Sequence, residues 1–339
     1  MEIKEYIREY TARDIIKSRN PAVVTIGGGT GMGAILRGLK KYTERLTAIV
    51  TVGDDGGSSG RLRDDIGMLP PGDIRNCILA LADDESVMSS LFDYRFDTGE
   101  LEGHSFGNLF LAAMNGISSD FYDAVRRTSD VLQIKGRVLP VTLGQMRLKA
   151  ALQNGHIING ESEIPQAAIR EHSPINRIML AGEKIKPLDE TVEALMNAQI
   201  IVIGPGSLYT SLIPNLLVPG IQEAIRLSGA KKYYIGNLMT QPGETDGYSQ
   251  ADHLDAIARH TERDAMLFDT VIQNNGRLPD NLREKYRSFG QEQVKPVEAW
   301  RDLNILSGDL IAIEKMRIRH DADEAARMLF EDYMKVKRG

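Results

Sequence analysis

AVVTIGGGTGMG, residues 22–33, decides how the chain is read. Ala22 to Ile26 is an uncharged run rich in β-branched residues, the pattern of a buried strand. Five glycines occupy the seven positions from Gly27 to Gly33, and Ala34–Tyr42 then has the spacing of a helix with Ile35, Leu36 and Leu39 on one face. A strand, a glycine-rich turn and a helix start together form a phosphate cradle. Glycine permits sharp turning and close backbone approach, and the free N–H groups of a helix start point at an anion. A plain strand-to-helix turn is the alternative, but it needs fewer glycines. Gly31-Met32-Gly33 lacks the Gly-Lys-Ser/Thr of a P-loop. A dinucleotide fingerprint can be laid over Gly29–Ala34 with Asp54 as the ribose acid, but the residues after Asp54 do not resemble a dehydrogenase.

Working outward, Leu46–Val52 reads as a second buried strand, opening into Gly53-Asp54-Asp55-Gly56-Gly57-Ser58-Ser59-Gly60-Arg61. Two acids, glycines, serines and an arginine directly after a strand lie where open α/β sheets bind ligands. Asp54 with Asp73, from Pro71-Gly72-Asp73-Ile74-Arg75-Asn76, can hold Mg²⁺ against substrate phosphates, or Asp73 can simply cap a helix. Gly103-His104-Ser105-Phe106-Gly107-Asn108 opens a further helix; His104 and Asn108 share a face if both lie inside it, and otherwise His104 is a polar cap at its start. A second strand–glycine–helix site follows Gln199–Ile203, with Gly204, Gly206 and Ser207. After the strand Lys231–Ile235 comes a polar loop with Asn237 and Thr240. The phosphate- and nucleotide-binding candidates are therefore Gly28, Gly29, Thr30, Gly31, Asp54, Gly57, Ser58, Arg61, His104, Asn108, Gly204, Gly206, Ser207, Asn237 and Thr240. No nucleophile stands beside a base in the sequence.

Strands alternating with helices predict a doubly wound, mostly parallel Rossmann-like α/β sheet. The expected organisation is an N-terminal helical extension over residues 1–20 and a single domain over 21–339. A small strand-rich insertion is expected near 136–180, with tight turns at Asn154-Gly155 and Asn159-Gly160. Ala265–Ile272, Lys295–Val297 and Asp309–Ile313 read as late strands, and Asp321–Met334 as a closing helix. Residues 2–18 form an amphipathic pattern that packs on the domain or on a second copy in a homodimer. A net charge of −6 over 339 residues excludes general nucleic-acid affinity. The lone Cys77 allows no disulfide framework, no apolar run spans a bilayer, and the protein is expected in the cytoplasm.

Taken in order, Ile26–Gly31, Gly53–Gly60, Pro71–Asn76, His104–Asn108, Gly204–Ser207 and the closing Arg319-His320-Asp321 resemble the gluconeogenesis-factor (YvcK-like) family, related to the 2-phospho-L-lactate transferases (CofD-like). The resemblance runs from about Val23 to Asp321. It implies a nucleotide lying across the strand ends, phosphates on Gly28–Gly31, acids at Asp54 and Asp73, and nucleotide contacts from Tyr286 and Arg319. In the transferase branch the donor is a nucleotide-diphosphate-linked phospholactate and the cation Mg²⁺. The branch that this sequence resembles more binds UDP-sugars, such as UDP-N-acetylglucosamine or UDP-glucose. It affects carbon metabolism, cell-wall supply and cell shape through protein partners. Binding rather than turnover is the expectation, with a Mg²⁺-dependent transferase as the alternative.

Overall fold

A computed structural model describes residues 13–82, 87–261 and 266–336. The first strand is β1 (Val23–Gly27), buried along its whole length. It pairs in parallel with β2 (Leu46–Val50) on one side and β7 (Ile200–Ile203) on the other. All three are runs of β-branched and aliphatic residues without alternation, as a parallel strand covered on both faces requires. The sheet is completed by β3 (Arg137–Pro140), β8 (Lys231–Ile235), β9 (Thr270–Asn274) and β10 (Asn304–Gly308). Its order is β10-β9-β8-β7-β1-β2-β3, and every pairing is parallel. The doubly wound α/β architecture read from the sequence is the observed one.

That order carries the functional information. From β1 the chain builds outward through β2 to β3. It then returns to the centre at β7 and builds the other way through β8, β9 and β10. The loops after β1 and β7 therefore diverge to opposite faces, leaving a crevice between them, which is where open α/β sheets bind ligands. The helix after β1 spans Gly29–Leu39, starting five residues before the expected Ala34. It buries Met32, Ile35, Leu36 and Leu39, the i, i+3, i+4, i+7 stripe that seats it on the sheet.

A separate antiparallel sheet, in the order β5-β4-β6, is formed by β4 (Arg147–Leu152), β5 (Ile157–Asn159) and β6 (Ile175–Ala181). Asn154-Gly155 joins β4 to β5: Gly155 has φ +90°, and Asn154 Oδ1 accepts from the His156 N–H at 3.0 Å. Asn159-Gly160 makes no hairpin and leads instead to the helix Glu163–Arg170. Two backbone donors tie this unit to the main sheet. The Asp55 carboxylate accepts from Glu161 N–H at 2.8 Å and Ser162 N–H at 2.9 Å.

Residues 295–297 are not a strand. The Gln273 side chain occupies the backbone of Val297 on both sides, donating to its carbonyl at 2.6 Å and accepting from its N–H at 3.0 Å. Ala265 lies outside the described residues, and the strand expected over 265–272 is Thr270–Asn274. β11 (Ile311–Glu314) and β12 (Arg317–His320) form an antiparallel hairpin. The helix Ala322–Val336 then closes the described chain and packs back on the first helix, with Phe330 stacked on Tyr42 at 4.6 Å. Among the described residues no helix is long and apolar enough to cross a membrane.

Candidate functional site

The crevice between the β1 and β7 loops holds a cavity of about 190 Å³. Gly28–Gly31 form one wall, Pro205–Ser207 the facing wall and Asn237–Gln241 the floor; Gln291 and Ile318–His320 close it from the C-terminal side. Nine of the sequence-derived candidates meet here: Gly28, Gly29, Thr30, Gly31, Gly206, Ser207, Asn237, Thr240 and Arg319. Two of them are short of space for a side chain. A Cβ on Gly28 would overlap Asp73 Oδ2, and one on Gly206 would lie 3.1 Å from the Gly28 carbonyl oxygen; one on Gly31 would make ordinary contact with the Pro205 carbonyl oxygen at 3.4 Å. The two loops thus approach each other backbone to backbone.

The floor is held rather than free. Asn237 donates to the Gly206 carbonyl at 3.0 Å, and Gln241 donates to Ser207 Oγ at 2.8 Å. Thr240 exchanges two bonds with Glu292, its N–H donating at 2.7 Å and its hydroxyl accepting at 2.8 Å, which sets the loop carrying Gln291. His320 donates Nε2–H to the Gly236 carbonyl at 3.0 Å, and burial pushes its pKa down to about 4, so the ring is neutral. Arg319, beside it, has no carboxylate partner among the described residues; its one hydrogen bond is a long 3.4 Å contact to the Ile318 carbonyl. Tyr286 does not line the cavity. Its hydroxyl accepts from the Ile318 N–H at 2.8 Å, steadying the strand that presents Arg319.

Asp73 is the second residue of the helix Gly72–Leu81 and makes no cap. Its half-buried carboxylate turns instead to the phosphate loop and accepts from Gly29 N–H; burial, then the charge of Asp54, pushes its pKa up to about 7. Asp54 accepts from Gly56 N–H at 2.9 Å, and its other oxygen would lie 3.1 Å from a Cβ on Gly72. The two acids therefore stand side by side at the strand ends. Glu161, brought in from the second sheet, adds a carboxyl raised to about 8 by burial and then Asp54. No group of three or more acidic, histidine or cysteine ligands stands at metal-holding distance among the described residues. Two carboxylates fit Mg²⁺, which takes one or two from the protein and completes its octahedron with water and phosphate oxygens.

The second predicted cradle differs from the first. Where an anion would sit against the turn Leu208–Leu212, the chain supplies its own. Buried Glu244 accepts from Tyr209 N–H at 3.2 Å and Thr210 Oγ1 at 3.3 Å. Gly204 is a turn residue at φ +80°, where a Cβ would lie 2.9 Å from the Ile235 carbonyl oxygen. Burial pushes the Glu244 carboxyl from 4.5 up to about 7, against the hydrogen bonds from Tyr209 and Thr210. Between those values the folded chain binds more protons than the unfolded one, so stability falls as pH rises through that window. Urea unfolding at pH 5 and pH 8 should show a parent difference that shrinks by about 2–3 kcal/mol in Glu244→Gln.

His104 and Asn108 do not share a helix face. His104 precedes the helix Phe106–Gly116, which Ser105 caps. They converge on Ser58, with Ser58 Oγ 3.0 Å from His104 Nδ1 and 3.0 Å from Asn108 Nδ2. A hydroxyl beside a base is thus present after all; its members lie 46 residues apart in the chain, which is why no local motif displays it. Gly57 starts the helix Gly57–Ile66, which carries Ser58, at φ +48°. Arg61 points away from the cavity and donates to the Glu102 carbonyl at 2.7 Å.

Comparison with known proteins gives the family and supports the fold. The sequence model of 2-phospho-L-lactate transferase CofD matches residues 23–311. The gluconeogenesis factor of Bacillus subtilis is 43% identical over 320 residues, covering 92% of this chain and 98% of that protein. That of Halalkalibacterium halodurans is 47% identical over 283 residues, covering 83% and 84%. A crystal structure of a Bacillus halodurans protein superposes with a TM-score of 0.87 at 42% identity, covering 93% of this chain and 99% of that one. Another crystal structure of that protein gives 0.84 at 43% identity, over 90% and 97%. The β1 loop, the paired acids and the β7 loop all fall inside the matched span, and the chain belongs to the gluconeogenesis-factor family within the wider CofD group.

Proposed function

We propose that the chain binds a nucleotide-diphosphate sugar, a UDP-sugar such as UDP-N-acetylglucosamine or UDP-glucose, across the strand ends. In this reading it acts as a regulator whose occupied state is read by proteins of carbon metabolism and cell-wall supply. The observation that carries this is the position of the cavity. It lies at the point where the strand order reverses, between two glycine loops, with an unpaired arginine on its rim. The diphosphate lies on the loop Gly28–Gly31, over the open N–H groups of the helix start other than that of Gly29, which Asp73 holds. Asp54 and Asp73 would hold Mg²⁺, and the cation would supply charge neutralisation where the diphosphate meets the two acids. Arg319 supplies a planar donor fork to phosphate or stacks on the base. The names of the relatives support a role in carbon metabolism.

Calorimetry with UDP-N-acetylglucosamine and Mg²⁺ tests this. Arg319→Ala should weaken binding by about 10–100-fold, the span of a lost charge-assisted hydrogen bond of roughly 1.5–3 kcal/mol, without moving the melting temperature. EDTA or Asp54→Asn should weaken binding as well. Affinity indifferent to all three changes would remove the nucleotide from this cavity. The alternative, a Mg²⁺-dependent transferase, is favoured by the acids standing together at the cradle. Consumption of UDP-N-acetylglucosamine by the purified protein, lost in Asp54→Asn, would decide for it.

A further inference from the structure

Ser58 sits on the first turn of the ten-residue helix Gly57–Ile66, whose N-cap, Gly56, has no side chain to satisfy it. Among the described residues the N–H groups of Gly57, Ser58 and Ser59 meet no acceptor, so three donors converge beside the Ser58 hydroxyl. That hydroxyl is buried, 5% exposed, and so are its partners His104 at 8% and Asn108 at 2%. Asn108 Nδ2 donates to Ser58 Oγ, and in the His104 tautomer that carries its proton on Nε2 the hydroxyl's own proton is shared with Nδ1. The other amide atom, Asn108 Oδ1, is buried without a partner, so the amide's capacity is only half used.

His104 is suited to receive that proton. It faces Arg61 and Asp65 of the Ser58 helix and Arg95 from the preceding loop; burial first, then Arg61, lower its pKa, leaving the ring neutral with a free lone pair. The start of this helix is tied to the first of the two acids. Gly56, whose N–H is held by Asp54, begins the helix that carries Ser58.

We propose that Ser58 is a nucleophile, activated by His104, for a phosphoryl centre seated on the first turn of this helix. The arrangement has the parts such a step needs: an oxygen within hydrogen-bond reach of a base, and oriented N–H donors for the charge that develops on the non-bridging oxygens. The natural donor rests on the reading of the neighbouring cavity as a nucleotide-diphosphate-sugar site. Ser58 Oγ bonds to the sugar-bearing phosphorus. The bond from that phosphorus to the bridging oxygen breaks, and the oxygen departs with the electron pair as a nucleoside monophosphate. The Ser58 proton passes to His104 Nδ1, and Ser58 is left as a phosphodiester to the sugar.

Diisopropyl fluorophosphate tests the nucleophile without the natural donor, since Oγ–P forms, P–F breaks and fluoride leaves. Mass spectrometry of the full chain after proteolysis should find the diisopropylphosphoryl group on Ser58. It should be absent in Ser58→Ala and retained in Ser59→Ala. His104→Gln should label at least about 100-fold more slowly, the lower end of what a general base contributes, and added imidazole should restore labelling in His104→Gly. A parent chain unlabelled at Ser58, or equal rates in parent and His104→Gln, would overturn the proposal even if both histidine variants proved unstable. Calorimetry with UDP-N-acetylglucosamine, run on the same samples, separates the two readings. Labelling without nucleotide binding upholds the nucleophile and removes the donor; binding without labelling does the reverse.

Discussion

UDP-N-acetylglucosamine affinity should fall by 100-fold or more in Gly28→Val, while the protein remains folded by circular dichroism. Gly28 has extended backbone, φ −176°, so valine meets no conformational penalty there; the obstacle is space. Its Cβ would overlap Asp73 Oδ2 and lie 2.9 Å from Thr51 Cγ2. The flexible partner is the carboxylate, and moving it breaks its bond from Gly29 N–H and separates it from Asp54. One substitution thus disturbs the cradle and the cation pair together. A 100-fold loss is about 2.7 kcal/mol, within the span of one charge-assisted hydrogen bond. Gly29→Val is the contrasting case. A Cβ at Gly29 meets nothing within 4 Å, but the residue stands at φ +72°. Left-handed backbone costs a β-branched residue roughly 1–2 kcal/mol, so this variant loses stability as well as affinity. Unchanged affinity in Gly28→Val would refute the placement of phosphate on this loop.

The largest loss of stability is expected from Gly38→Val, at the far end of the same helix. A Cβ there would overlap the Ala322 carbonyl oxygen and lie 2.6 Å from its carbon. Both obstacles are backbone, so no rotamer relieves the clash, and the start of the helix Ala322–Val336 must retreat. That helix buries Ala325, Ala326, Leu329, Phe330 and Tyr333, all of the closing apolar layer. Overpacking a well-packed core costs typically 1–3 kcal/mol, and a backbone obstacle lies at the top of that span. At about 2–4 °C per kcal/mol for a domain of 150–250 residues, and less for a longer chain, the melting temperature should fall by several degrees. Calorimetry showing a variant as stable as the parent would mean that the two helices are not in the contact described.

The core of this fold is legible because its signals are local. Val23–Gly27 and Ile200–Ile203 are uncharged runs rich in β-branched residues and followed by glycine, and both strand and turn are read from neighbouring residues. What could not be read depends on residues far apart. The hairpin β11–β12 turns at Lys315 and Met316, both left-handed at φ +47° and +60°, without the glycine or asparagine that normally marks such a turn. Val297 looks like part of a strand until Gln273, 24 positions away, is found holding its backbone. The cradle at Gly204–Ser207 is motif-perfect, but Glu244, buried from another loop, takes the donors of the turn behind it. Ser58 and His104 are each ordinary in sequence, and only the packing of Phe106–Gly116 near Gly57–Ile66 makes them a pair. Asp73 was legible as an acid in a polar motif. Its turn toward Gly29 required the strand order, which sets the Gly72–Leu81 helix beside the first loop.

The hairpin has a consequence for how the site comes into being. The cavity joins Gly28–Gly31, near the start of the described chain, to Ile318–His320, near its end. All seven strands of the main sheet are complete by Gly308. A polypeptide emerging from the ribosome can therefore assemble its sheet before it can close its cavity, because Arg319 and His320 arrive only afterwards. Ligand capture is in this sense a test of completeness, and a product of premature termination between Gly308 and Ile318 would carry every strand of the sheet but lack Arg319 and His320 and fail to close the binding site.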